Sequence, residues 1–84
     1  MPVLSTFYGI SIKMYFRQTE HNPPHFHASY AGYNAAIGIN DLKVLDGSLP
    51  PRALMLVQEW TLANREKLLE IWHSQVFEKI APLE

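Results

Sequence analysis

Gly-Ile-Ser-Ile-Lys-Met-Tyr-Phe-Arg, at residues 9–17, shows the clearest secondary-structure pattern of the chain. Apolar residues alternate with polar residues or tyrosine, so an extended chain separates the two sets onto opposite faces. One face receives Ile10, Ile12, Met14 and Phe16, and the other receives Ser11, Lys13, Tyr15 and Arg17. A period of two over this length predicts a half-buried β-strand.

Similar alternation returns in residues 25–30 and 33–39, and residues 42–45 predict a fourth, short strand. Gly32 and the pair Asn40-Asp41 are typical of the turns between such strands. Consecutive strands joined by short turns predict an antiparallel meander of three to four strands, within about residues 3–46.

Residues 50–78 predict helix, because Pro50-Pro51 suits a first turn and no strong helix breaker follows before Phe77. The apolar stripe of the second half lies roughly 130° around the helix from that of the first half. The sequence therefore predicts two C-terminal helices on one face of the sheet, or one helix kinked near residues 61–64. Asn64 is then expected to cap the second part. Residues 79–84 are expected to dock as a short extended tail.

The composition indicates one globular α+β domain over residues 1–84. Seven basic residues stand against eight acidic ones, which removes the argument from net charge for nonspecific binding to nucleic acid or membranes. The absence of cysteine excludes disulfides and thiolate ligands and fits a reducing compartment. We expect a cytoplasmic protein without a signal peptide or a membrane span.

The densest polar feature is Glu-His-Asn-Pro-Pro-His-Phe-His at residues 20–27. His25 and His27 are two apart on a predicted strand, so their imidazoles point the same way. With His21 they form a candidate set of metal ligands, for which zinc is suitable; Glu20 is the alternative third ligand. Two other interpretations stay open: a structural role in hydrogen bonding the loop, and proton transfer or anion contact.

Pairing of the first two predicted strands as a hairpin would place Lys13, Tyr15 and Arg17 on the face that carries His25 and His27. These five residues are the candidate catalytic set, with Asn34, Ala36 and Gly38 as small neighbours that give access. Such a face also suits a phosphate or a nucleic-acid backbone. The alternative is a solvated sheet face without chemistry, since antiparallel sheets commonly leave one face to water.

Large aromatic residues predict an interaction surface. Trp60, Trp72 and Phe77 lie in the helical segment, where such side chains are more often core or interface than a ligand box. Their area makes a homodimer, or a complex with a small partner protein, a fair hypothesis.

The first sixteen residues and the run His-Asn-Pro-Pro-His-Phe-His at 21–27 resemble the bacterial proteins known as domain of unknown function 4160 (DUF4160), as do residues 49–54 and 59–72. The resemblance implies a small bacterial protein, often encoded beside a second domain of unknown function, DUF2442. That arrangement is similar to toxin–antitoxin pairs or mobile-element cargo, and it implies no established activity. Asn64 stands where such proteins typically carry histidine, so no role of that histidine transfers.

Two functional hypotheses follow. The first is a small interaction module, one half of a toxin–antitoxin-like pair. The second is a histidine-dependent enzyme, ribonuclease-like or a metal-dependent hydrolase, that uses the cluster of His21, His25 and His27.

Overall fold

The computed structural model describes residues 3–15 and 23–83, and it confirms the α+β class. Five strands precede one helix. They are β1 (Val3–Phe7), β2 (Ile10–Lys13), β3 (His25–Tyr30), β4 (Tyr33–Gly38), β5 (Val44–Gly47) and α1 (Pro51–Ser74). The strands lie side by side in chain order and every neighbouring pair is antiparallel, which is the predicted meander.

The prediction of three to four strands was one strand short, because it missed β1. Tyr8 and Gly9 both have positive φ and reverse the chain between β1 and β2. The alternation that reveals β2 is broken in β1, where the register shifts between Val3 and Ser5. Leu4 and Ser5 are consequently both buried although they are adjacent. A bulge of this kind hides a strand from any search for period two.

The prediction of two C-terminal helices was wrong, and the kinked alternative describes α1. Its 24 residues continue through Asn64, whose φ of −126° and ψ of 18° are not helical. The Asn64 side-chain amide does not cap a new helix but donates to the carbonyl of Trp60 at 2.8 Å. The kink turns both apolar stripes toward the sheet. Buried residues precede it (Ala53, Val57, Trp60, Thr61) and follow it (Leu68, Ile71, Trp72).

The core lies between α1 and the inner face of the sheet. Trp60 is at its centre, with its ring 5.5 Å from that of Phe7 and 6.0 Å from that of Phe26. The C-terminal tail docks against β1, since the Ile80 N–H donates to the Leu4 carbonyl at 2.8 Å. The indole Nε1 of Trp60 donates to the Ala81 carbonyl at 2.9 Å, which joins the tail to the core.

Helix α1 and the tail therefore cover the inner face. On the opposite face, which we call the outer face, Trp72 of α1 contacts His25, and no other part of the described helix or strands covers it. Side chains of β2 and β3 alternate between the two, so Lys13, His25 and His27 lie on the outer face while Phe26 and Ala28 are buried. In the described part of the chain, no helix combines the length and the hydropathy needed to cross a bilayer.

Candidate functional site

A single cross-strand row brings the main polar groups of the outer face together. Lys13 on β2 is opposite His27 on β3, His27 is opposite Ala36 on β4, and Ala36 is opposite Asp46 on β5. Residues directly opposite in antiparallel strands point to the same face. The row therefore presents an ammonium group, an imidazole, a methyl group and a carboxylate in that order across four strands.

The small residues predicted beside the histidines lie where the hairpin argument placed them. Gly38 is opposite His25, Ala36 is opposite His27, and Asn34 is opposite Ser29. Asn34 accepts a hydrogen bond from the Ser29 hydroxyl at 3.0 Å. Strand β4 therefore forms a low strip between β3 and β5, because two of its three outer positions carry a methyl group or no side chain.

Four aromatic rings form a continuous chain of contacts at one end of this row. The ring of Tyr15 is 4.4 Å from that of His27, His27 is 5.3 Å from His25, and His25 is 5.1 Å from Trp72. Both imidazoles are half-buried. They are neither turned apart nor sealed into the core, so the geometry that the sequence predicted for them is present.

The hydrogen bond of His25 orients its ring. Its Nδ1 is 2.9 Å from the carbonyl oxygen of Pro23. A carbonyl can only accept, so the proton resides on Nδ1 and Nε2 is the nitrogen left for a ligand or a proton. The carbonyl of Pro23 therefore holds the imidazole of His25 in its orientation.

His27 resists protonation more than an ordinary histidine. Burial lowers its pKa first, the neighbouring His25 lowers it further, and the carboxylate of Asp46 acts in the opposite direction. Desolvation disfavours the charged imidazolium, which is the reason for the leading contribution. Near neutral pH, His27 therefore offers a neutral ring.

Between β3 and β5 the outer face contains an open groove of about 470 Å³. We call it the β4 groove, because Ala36 of β4 forms its floor. Its lining residues are Tyr15, Pro23, His25, His27, Ala36, Leu45 and Asp46. A smaller depression of about 80 Å³ adjoins it and shares His27, Ala36 and Asp46. The space exists because an alanine methyl group stands between two larger side chains.

Asp46 is the residue of this site that sequence reasoning missed. The register of β4 and β5 shifts between Ala36 and Ile37, and the extra residue on β5 is Leu45. Leu45 and Asp46 both line the groove as a result. The predicted short strand ends at Leu45, whereas Asp46 and Gly47 both belong to β5. A weak signal existed, since glycine beside a strand often marks a bulge or a close approach.

Other predicted site residues fall outside the described part of the chain. Arg17 and His21 lie within residues 16–22, which the structure does not describe. Among the described residues, no group of three or more potential ligands comes together for a metal ion. The metal set of His21, His25 and His27 therefore stays a prediction, as does any divalent cofactor.

The structure places Trp60 and Trp72 in the core, where they are 1% and 3% exposed. Their indoles pack within the chain, so they offer no surface to a partner. Phe77, at 41% exposed, is the one member of the predicted interface that reaches solvent.

Comparison with known proteins gives a family and no activity. A family model described as "Domain of unknown function (DUF4160)" matches residues 9–73, which covers β2 to nearly the end of α1. No curated protein and no solved structure matches the chain.

Proposed function

Because this chain belongs to the DUF4160 family, whose description states no activity, we propose its function from the site: it is an interaction module that binds a partner protein in the β4 groove. One observation carries the proposal. The outer face, which α1 reaches only at the contact between Trp72 and His25, has a concave surface with an alanine floor and walls of aromatic rings.

The composition of the groove supports a protein partner. Tyr15, His25 and His27 supply ring surface, Pro23 supplies a rigid apolar edge, and Leu45 is 44% exposed at the rim. Protein interfaces concentrate their binding energy in pockets with aromatic and apolar walls, surrounded by a polar rim. Lys13, one strand beyond His27, contributes to that rim.

The partner that we propose is the second small protein implied by the resemblance, of the DUF2442 type, in a toxin–antitoxin-like or mobile-element setting. A homodimer is the alternative partner. The earlier argument for a dimer depended on two tryptophans that are buried in the core. The groove replaces them as the proposed contact surface.

The proposal is tested by titrating purified chain with a purified DUF2442-type protein encoded beside it, followed by calorimetry. Ala36→Leu fills the floor of the groove and is expected to weaken binding at least tenfold. Ala63→Leu is the matched control, since Ala63 is exposed on α1, in the layer on the other side of the sheet. It is expected to leave the affinity unchanged.

A second variant, Leu45→Ser, keeps the test valid even if Ala36→Leu does not fold. Leu45→Ser removes an exposed apolar side chain from the rim and should also weaken binding. Circular dichroism establishes that both variants are folded. If both bind the partner as tightly as the unmodified chain, the groove is not the interface and the proposal fails.

The enzyme hypothesis remains a second proposal on the same residues. The hydrogen bond from His25 Nδ1 to Pro23 supports it, because it leaves Nε2 as the proton-exchanging atom beside the neutral ring of His27. Lys13 and Tyr15 would assist by contacting an anionic group. Two measurements test it. The first is metal analysis of the purified chain, and the second compares RNA cleavage by the unmodified chain with cleavage by His25→Ala and His27→Ala. Absence of cleavage by the unmodified chain, with or without zinc, would end it.

A further inference from the structure

We propose that the β4 groove receives the guanidinium group of an arginine side chain on the partner protein, with Asp46 as its acceptor. This inference depends on the proposed function, since it names the chemistry of the partner at the same site.

The charge of the groove is the first argument. Among the lining residues that the structure describes, Asp46 is the one acidic side chain, and none is a lysine or an arginine. Within residues 3–15 and 23–83, Asp46 has no hydrogen-bond or ion-pair partner. The described ion pair joins Lys67 to Glu78, outside the groove. An exposed carboxylate that faces a concave surface, with no counter-ion among the described residues, favours a cationic occupant.

Aromatic rings opposite the carboxylate are the second argument. The ring centroids of Tyr15 and His27 lie 4.4 Å apart on the β3 side of the groove. His27 remains neutral near pH 7 because burial lowers its pKa. A neutral ring wall attracts a flat cation, whereas an imidazolium would repel it. Guanidinium groups stack on aromatic faces and bind carboxylates with two hydrogen bonds, which the compact ammonium group of lysine does not do.

The dimensions of the groove are the third argument. His27 and Asp46 belong to the strands on either side of β4. Two inter-strand spacings separate their backbones by about 9–10 Å. Ala36 leaves the space between them open down to its methyl group. A planar guanidinium on a long, thin side chain can enter such a space and contact both walls.

Two other features of the molecule do not offer the same arrangement. A metal ion needs more ligands than the described part of the groove brings together. The cavity of about 330 Å³ beside the first turn of α1 contains both Arg52 and Glu59, so its charges balance and it does not select a cation. The β4 groove differs from that cavity because its described lining includes a carboxylate but no lysine or arginine.

The first experiment titrates the isotope-labelled full chain with N-acetyl-arginine amide, observed by amide NMR. Saturable shifts are expected at Ala36 and Asp46, with affinity in the millimolar range for so small a probe. The citrulline analogue has the same shape without the charge and should cause no saturable shift. Asp46→Asn should weaken arginine binding at least tenfold. Glu70→Gln, which removes an equal charge from the exposed face of α1, should not.

The second experiment connects the probe to the partner protein. Each surface arginine of the partner is replaced by glutamine and combined with Asp46→Asn in double-mutant cycles. One arginine is expected to lose its contribution once Asp46 is replaced. A groove that selects small organic cations instead would bind the arginine probe while no partner arginine couples to Asp46, and that result would overturn the inference.

The outcomes separate this inference from the proposed function. If Ala36→Leu abolishes partner binding but Asp46→Asn does not weaken it, the groove is the interface and the guanidinium assignment is wrong. If neither Ala36→Leu nor Leu45→Ser weakens partner binding, the proposed function fails first. Equal shifts with arginine and citrulline, or no shifts with either, overturn the inference directly.

Discussion

Gly47 and Gly32 form a matched pair that tests whether close packing of β5 against β4 holds Asp46 in place. Both have left-handed backbone conformations, with φ of +75° and +87°. A Cβ atom at Gly32 would meet nothing within 4 Å, whereas one at Gly47 would collide with the carbonyl oxygen of Asn34 and lie 3.1 Å from the Cα of Ala35. That carbonyl already accepts a hydrogen bond from the Ser48 N–H at 3.0 Å.

The difference in cost between the two substitutions can be worked out from these contacts. Gly32→Ala should cost about 1–2 kcal/mol, the penalty for a Cβ atom in the left-handed region. Gly47→Ala carries that penalty as well. It should also lose about 1 kcal/mol with the Ser48 hydrogen bond, and about 1–3 kcal/mol through overpacking against β4. Gly47→Ala should therefore be less stable than Gly32→Ala by about 2–4 kcal/mol.

Urea denaturation followed by far-ultraviolet circular dichroism measures both free energies of unfolding. With a slope of about 1 kcal/mol per molar urea for a domain of this size, the two midpoints should differ by about 2–4 M. Arginine binding by folded Gly47→Ala should also weaken, because β5 must move and Asp46 moves with it. Equal midpoints for the two variants would show that β5 does not approach β4 as closely as the structure has it, and the reasoning about Asp46 would lose its basis.

Three further predictions concern two buried residues, Trp60 and Ser5, and the outer-face residue His27. Trp60→Phe should lower the free energy of unfolding, measured by urea denaturation, by about 3 kcal/mol, because it removes the hydrogen bond to Ala81 and buried area and leaves a cavity. A loss below about 1 kcal/mol would contradict the docking of the tail. Ser5→Ala should leave the free energy of unfolding unchanged or raise it by about 1 kcal/mol, because the buried Ser5 hydroxyl has no partner among the described residues; a clear loss of stability would reveal a missing partner. Because the folded pKa of His27 lies below the ordinary histidine value of 6.5, stability should be fully present above pH 6.5 and should fall as the pH falls through the folded pKa. His27→Gln, with Lys13, Tyr15, His25 and Asp46 unchanged, should flatten that dependence, and an unaltered pH profile would show that His27 is not the titrating group.

The parts of the fold that follow strict periodicity could be predicted from the sequence. Alternation in residues 9–17 and 25–30 identified β2 and β3, and their pairing placed Lys13 opposite His27. The drift of the apolar stripe along residues 52–77 located the kink, because a straight helix could not direct both stripes at one sheet. The choice between a kink and a break depended on Asn64, whose side chain bonds within the same helix.

The remaining parts involve residues that break the local pattern. In β1 the shift between Val3 and Ser5 places two successive side chains inside, so the strand does not alternate. The two tryptophans could be assigned to core or interface only by knowing what packs around them. Residue type gives the size of an aromatic side chain but not its neighbours.

Asp46 shows why the candidate site could be predicted only in part. His25 and His27 share a face because they are two apart in one strand, which is a local property that the sequence contains. The position of Asp46 depends on a register between strands, and the extra residue Leu45 alters that register by one. A shift of one residue moves a side chain to the other face of a sheet. The aromatic wall of the β4 groove is therefore set by local sequence, whereas its charge is set by a bulge, and it is the charge that determines which partner the groove selects.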